Sequence, residues 1–252
     1  MTEIVDAHAH IMLGGYGSLP PQPAEAVLEG FARYGVSRAW FSSVDALVTN
    51  SVESHRRSND AMAELQGRFG RRFVALATLH PRGGDESARE LSRAISDLGL
   101  RGLKLHGWLQ PVSCVDPCLQ PVFDEANRLR LPVLFHDGTP PFTSSLQIGW
   151  LAERYPQCTM ILGHGGLKDL AITAAQCARR HTNVYLQTCA TTLLSLRRAL
   201  EIVGPEKILY GSDGGFADPK WIDYNLRKIR KWNLTPEIES RILGGNAARL
   251  IA

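Results

Sequence analysis

The chain has 252 residues, 44% of them hydrophobic and 21% charged, with a formal net charge of +3. That length and balance fit one globular domain that buries its own core without staples, and they exclude a disordered or fibrous chain. The arginine pairs Arg71-Arg72, Arg179-Arg180 and Arg197-Arg198 are scattered along the chain, whereas nucleic-acid binding calls for a concentrated basic patch.

Short β-rich runs alternate with segments of helical period to the end of the chain. Strands are predicted at 4–8, 38–43, 73–79, 102–106, 132–136, 159–163, 184–187 and 207–210. Helices are predicted at 24–34, 57–69, 85–98, 117–130, 144–154, 167–180, 192–203 and 219–232. Ser144 opens SSLQ, where a hydroxyl can cap a helix and a glutamine follows three residues on. Thr235-Pro236-Glu237 puts proline at a first helical position and a carboxylate at the positive end of the dipole. The terminal GGNAARLIA reads as a tail helix packed on the rest.

Strands alternating with helices predict a parallel sheet with crossover helices. No GxGxxG or P-loop follows the first strand, and polar residues gather at the C-terminal ends of strands 1, 4, 5, 6 and 8. Only a ring of strands brings those ends to one point, so the expected architecture is a (β/α)8 TIM barrel, α/β in class and one domain over 1–252, with its site at that face. The start MTEIVDAHAH carries no basic stretch followed by an apolar one, and no apolar run approaches the roughly 20 residues of a membrane span. A cytoplasmic chain with no membrane partner is expected. Its five cysteines (114, 118, 158, 177, 189) are read as forming neither a disulfide nor a structural zinc site.

The strongest local signal is Asp6-Ala7-His8-Ala9-His10. Residues two apart on a strand share a face, so His8 and His10 both point inward, with Asp6 one step deeper and able to orient a histidine. Two adjacent imidazoles suit a divalent metal, or simply hydrogen-bond each other at a strand end. His136 ends PVLFH, His164 ends MILGH, and Asp213 follows ILYGS in a glycine-rich turn. Singly each reads as a loop residue or a cap. Jointly, at equivalent positions of one barrel, they argue for a metal. Lys104 and His106 in GLKLHG share the inward face of strand 4. Lys104 can pair with a substrate carboxylate, carry CO2 as a carbamate between two metals, or simply pair with a neighbouring acid. His106 is read as a substrate-contacting or supporting group.

Taken together, DAHAH, GLKLHG, LFHDGTPP, ILGHGG, ILYGSD and GGNAARL resemble the amidohydrolase superfamily, specifically its family 2 branch, nearly end to end. The resemblance implies a metal-dependent barrel; the branch includes hydrolases, decarboxylases and hydratases. It matches His8, His10, His136 and Asp213 to metal ligands, and His164 to a second-metal ligand or a catalytic histidine. Lys104 resembles the carbamylated lysine of binuclear members. One ion is favoured, Zn2+ first with Mn2+ as the alternative, and two if Lys104 is carbamylated.

That ligand set implies a metal-activated water, with Asp213 moving its proton and His164 stabilising an oxyanion. The expected reaction is hydrolysis of a small-molecule amide, ester or lactone. The alternative is a lyase, decarboxylating or hydrating a small carboxylated substrate; a barrel that only binds would leave Asp213 idle. Segments 43–58 and 107–117 are expected to shape the pocket, with Tyr16 and Trp108 as substrate contacts beside His106. Trp108 and Phe142 in the mouth loops either stack on a substrate ring or pack against the barrel rim, and Tyr16, between glycines, is the better candidate. A homo-oligomer is compatible with all of this.

Overall fold

The computed structural model describes residues 3–15, 20–215 and 218–251. Tyr16 lies outside them. The elements run β1 (Ile4–Ile11), α1 (Ala24–Arg33), β2 (Val36–Ser43), α2 (Val52–Phe69), β3 (Phe73–Ala75), β4 (Ala77–Thr78), α3 (Gly84–Ser96), β5 (Leu103–Leu105) and α4 (Gln120–Arg128). They continue as β6 (Pro132–Phe135), α5 (Ser145–Arg154), β7 (Thr159–Leu162), α6 (Ala171–Arg180), β8 (Val184–Gln187), α7 (Leu193–Val203), β9 (Ile208–Leu209), α8 (Lys220–Arg230), α9 (Pro236–Ser240) and α10 (Asn246–Leu250).

All strand pairs are parallel, in two sheets ordered β1-β2-β3 and β4 through β9. Hydrogen bonds bridge both seams between them. At one, β3 and β4 are halves of a single strand broken at Leu76, whose amide still donates to Phe41 O at 2.9 Å while Ala77 donates to Gly102 O at 2.8 Å. At the other, Ala7 donates to Tyr210 O at 3.0 Å and Asp213 to His8 O at 2.9 Å. The eight strands thus form the (β/α)8 barrel that the alternation predicted.

Two apolar layers follow from the two-residue period of the strands. Val5, Ala7, Trp40, Val74, Leu76, Leu134, Ile161 and Leu209 cluster inside the barrel, where Ala247 of α10 joins them. The opposite faces, including Phe41, Phe73, Val133, Phe135 and Leu162, pack against helix residues such as Phe31, Leu91, Val122 and Ile148. Strands buried on both faces read as unbroken apolar runs, which is why PVLF and TMIL were easily recognised.

Helix boundaries follow local chemistry. Ser144 and Gln147 form the expected capping box on α5, and the Thr235 side chain caps α9 with Pro236 at its start. Two expectations are corrected. Helix α2 starts at Val52 rather than 57, because the Ser51 hydroxyl accepts the Ser54 amide at 3.1 Å; the loop after β2 is correspondingly shorter. Helix α6 starts at Ala171 rather than 167, because Gly165, Gly166 and Leu167 all sit at positive φ, outside helical space.

Candidate metal centre

The alternation expected along DAHAH is interrupted. Val5 and Ala7 both belong to the interior cluster, so Asp6 between them points the other way, which corrects its placement beside the histidines. The pairing with β2 jumps from Asp6↔Ala39 to Ala9↔Phe41, a bulge that inserts one residue. That bulge turns His8 and His10 back to the interior. Asp6 instead ties β1 to the chain after β9, its Oδ1 accepting the His8 and Ser212 amides at 3.0 Å each. Burial outweighs these bonds and pushes its carboxyl up to about 7.

Both histidines are held from behind. His8 Nδ1 donates to the Gly163 carbonyl at 3.1 Å, which leaves Nε2 of the neutral ring bare. His10 Nδ1 lies 2.9 Å from Ser42 Oγ. Their Nε2 atoms sit 3.2 Å apart, and Asp213 Oδ1 is 3.0 Å from His10 Nε2 and 3.3 Å from His8 Nε2. Ligands bound at about 2.0–2.2 Å are separated by about 2.8–3.6 Å in octahedral to tetrahedral geometry. The spacing, donor types and rear hydrogen bonds therefore fit one divalent ion.

Electrostatics agree with that chemistry. Burial lowers the pKa of both His8 and His10, so both rings are neutral at pH 7. Burial opposes ionisation of Asp213, and the hydrogen bond from His10 works against that cost, holding the carboxyl well below its ordinary range. The Asp213 side chain keeps 27% of its exposure, giving the group an opening to solvent. Lys104 is fully buried with Nζ 2.9 Å from His8 Nε2, and burial lowers its ammonium to about 8.

The backbone is shaped around this group. Asp213 adopts φ +57, a left-handed conformation that a non-glycine residue holds only under local constraint. A Cβ on Gly163 would stand 2.4 Å from Phe135 O and 3.0 Å from His8 Cε1. At Gly215, φ is +110 and a Cβ would stand 1.9 Å from His10 O.

His136 does not join the compact group, contrary to the four-ligand convergence expected. Its Nδ1 is 2.7 Å from His164 Nε2, and its ring stacks on His106 at 3.8 Å between centroids. His164 is in turn engaged at Nδ1, 3.3 Å from Cys189 Sγ, and its amide donates to Asp137 Oδ1 at 2.6 Å. Burial foremost lowers the pKa of His106, His136 and His164, the last to about 4. Trp108 is 60% exposed, 6.3 Å from both His106 and His136 between ring centroids. Three residues of this network escaped sequence reasoning: Ser42, Asp137 and Cys189. Ser42 and Cys189 lie at the C-terminal ends of the second and seventh barrel strands, so the strand-end rule that found the histidines could have reached them.

The amidohydrolase family model (family 2) matches residues 5–252, and the chain belongs to that family. A gamma-resorcylate decarboxylase of Rhizobium radiobacter is 28% identical over 148 residues, 46% of this chain and 45% of that protein, so the match spans less than half the length of that curated relative. The barrel is similar to the crystal structure of a 2,6-dihydroxybenzoate decarboxylase from Rhizobium, with a TM-score of 0.81 at 20% identity over 100% of this chain and 99% of that one. It is also similar to a dihydroxybenzoic acid decarboxylase of Polaromonas solved with bound manganese and 2-nitroresorcinol, with a TM-score of 0.79 at 18% identity over 100% and 97% of the two chains. At those identities the structural likeness speaks for the fold. The expectation of amide, ester or lactone hydrolysis is overturned, because these relatives are decarboxylases. The preference for zinc gains no support, since the metal in that Polaromonas structure is manganese. No helix among the described residues is long and apolar enough to cross a membrane.

Proposed function

We propose that this protein is a metal-dependent decarboxylase of a small aromatic carboxylic acid. The observation that carries the proposal is the group of buried His8 and His10 with half-buried Asp213, and Lys104 against it. With the histidines neutral, the charges of Asp213 and Lys104 cancel. His8, His10 and Asp213 would hold a divalent ion, which would supply Lewis acidity and two uncompensated positive charges that favour an anionic substrate. The relatedness to decarboxylases supports the same reaction class.

The reaction adds one proton to the carbon that bears the carboxylate. The bond to the carboxylate then breaks, its electron pair returns to the ring, and CO2 leaves, so no oxidant is consumed. We assign the proton transfer to Asp213: through its opening to solvent the carboxylate takes up a proton from water, hands it to the ring carbon and returns to the ionised form. Both ring nitrogens of His164 have partners, so we assign it to positioning rather than proton transfer. Trp108 and His106 form the aromatic wall against which a substrate ring would stack, a contact typically worth about 0.5–1.5 kcal/mol. The substrate is taken as a small molecule held at this mouth, and the domain as one unit over 1–252.

The test is product analysis in D2O. Mn2+-loaded protein is incubated with hydroxylated benzoates and followed by NMR and CO2 capture. The expected result is CO2 release with deuterium at the vacated ring carbon. Turnover of lactones or amides with none of the benzoates would refute the proposal.

A further inference from the structure

A buried chain of contacts leads away from the metal group, through residues that the proposed chemistry does not use. Cys189 follows β8 and is fully enclosed, with Sγ 2.9 Å from the Gly163 carbonyl, 3.3 Å from His164 Nδ1 and 3.9 Å from His8 Nδ1. Its backbone is held by the buried ammonium of Lys228 on α8, which donates to Cys189 O at 2.7 Å and to Thr191 O at 3.0 Å. Beyond His164 the chain continues to His136 Nδ1 at 2.7 Å from His164 Nε2.

We infer that Cys189 is a positioning residue that fixes the tautomers of His164 and His136. The thiol has one hydrogen. A carbonyl can only accept, and Gly163 O is the nearest acceptor, so the hydrogen goes there. The sulfur then faces His164 Nδ1 as an acceptor only, which requires the proton of the neutral His164 ring on Nδ1. His164 Nε2 is left bare and accepts from His136 Nδ1–H. His136 therefore keeps a bare Nε2, the form in which an imidazole can coordinate an ion or accept from a substrate hydroxyl. The reverse arrangement, with protons on the Nε2 atoms, would leave His136 Nε2 able only to donate. Lys228 contributes by anchoring the loop from which the thiol is aimed. The inference rests on the metal-centre reading above for its consequence, but its proton positions do not depend on turnover.

Long-range 1H–15N NMR of the metal-free, 15N-labelled protein reads each tautomer directly. The expected spectrum has His136 and His164 both protonated at Nδ1; protonation of either at Nε2 overturns the inference. Cys189→Ser, which can still donate to Gly163 O and accept from His164, should keep both tautomers. Cys189→Ala removes the acceptor at His164 Nδ1 and should give mixed tautomers at His164 and His136. A folded Cys189→Ala with unchanged tautomers also overturns it. If that variant does not fold, the wild-type and serine spectra decide. A protein with the expected tautomers that releases no CO2 would fail the decarboxylase reading alone.

Discussion

Asp213 unites three constraints at one position: a left-handed backbone, an amide bonded to His8 O at 2.9 Å, and a carboxylate oxygen shared by two imidazoles. Replacing it with asparagine keeps the shape and removes the charge that both neutral histidines lack. Asp213→Asn should lower Mn2+ affinity by at least about tenfold, a floor taken from the loss of a mere supporting partner. Decarboxylation at saturating Mn2+ should fall by roughly 10²–10⁴-fold, the usual contribution of general acid–base catalysis. Calorimetric titration with Mn2+ checks the first and initial rates the second. Wild-type affinity in the variant would remove Asp213 from the ligand set.

Elements deliver these residues only because the strand ends come unusually close. His8 reaches the centre because β1 bulges and because the residue facing it at the end of β7, Gly163, has no side chain. Gly163→Ala forces a methyl group against Phe135 O and His8 Cε1, and overpacking of this kind typically destabilises by about 1–3 kcal/mol. The same change at Gly67, inside α2 with nothing within 4 Å of a new Cβ, should instead stabilise by about 0.5–1 kcal/mol through helix propensity. Urea denaturation of the two variants should therefore move in opposite directions. Equal destabilisation would mean that the close approach at Gly163 is not the limiting contact.

At the scale of the whole molecule, the group His8, His10 and Asp213 draws on both ends of the described chain and joins β1 to the segment after β9. An ion bound there couples to closure of the barrel and so to global stability. A ligand at about 100 times its Kd that binds only the native state adds about 2.7 kcal/mol. For a chain of this size each 1 kcal/mol moves Tm by about 2–4 °C. Adding Mn2+ to EDTA-treated protein should thus raise Tm by about 5–10 °C in scanning fluorimetry, and His8→Ala should abolish the shift. A full shift in that variant would place the ion elsewhere.

The sequence by itself determined the barrel and most of the parts list. Strand and helix periodicities are local, and strands buried on both faces announce themselves as apolar runs, so PVLF, TMIL and the alternation around them were legible. Polar residues closing such runs stand out for the same reason, which is how His8, His10, His136, His164 and Asp213 were found. What only the tertiary structure decided is how these residues face one another. A bulge changes the phase of a strand without changing its sequence pattern, so Asp6 was assigned to the wrong face. Contacts between distant strand ends depend on register and glycine clearance across the ring. That is why His136 falls outside the compact group and Cys189, unremarkable as a lone cysteine, stands between two histidines. Reaction class was beyond both local pattern and fold, because one metal group in one barrel can serve water attack or CO2 loss, and the choice lies in which substrate the mouth admits.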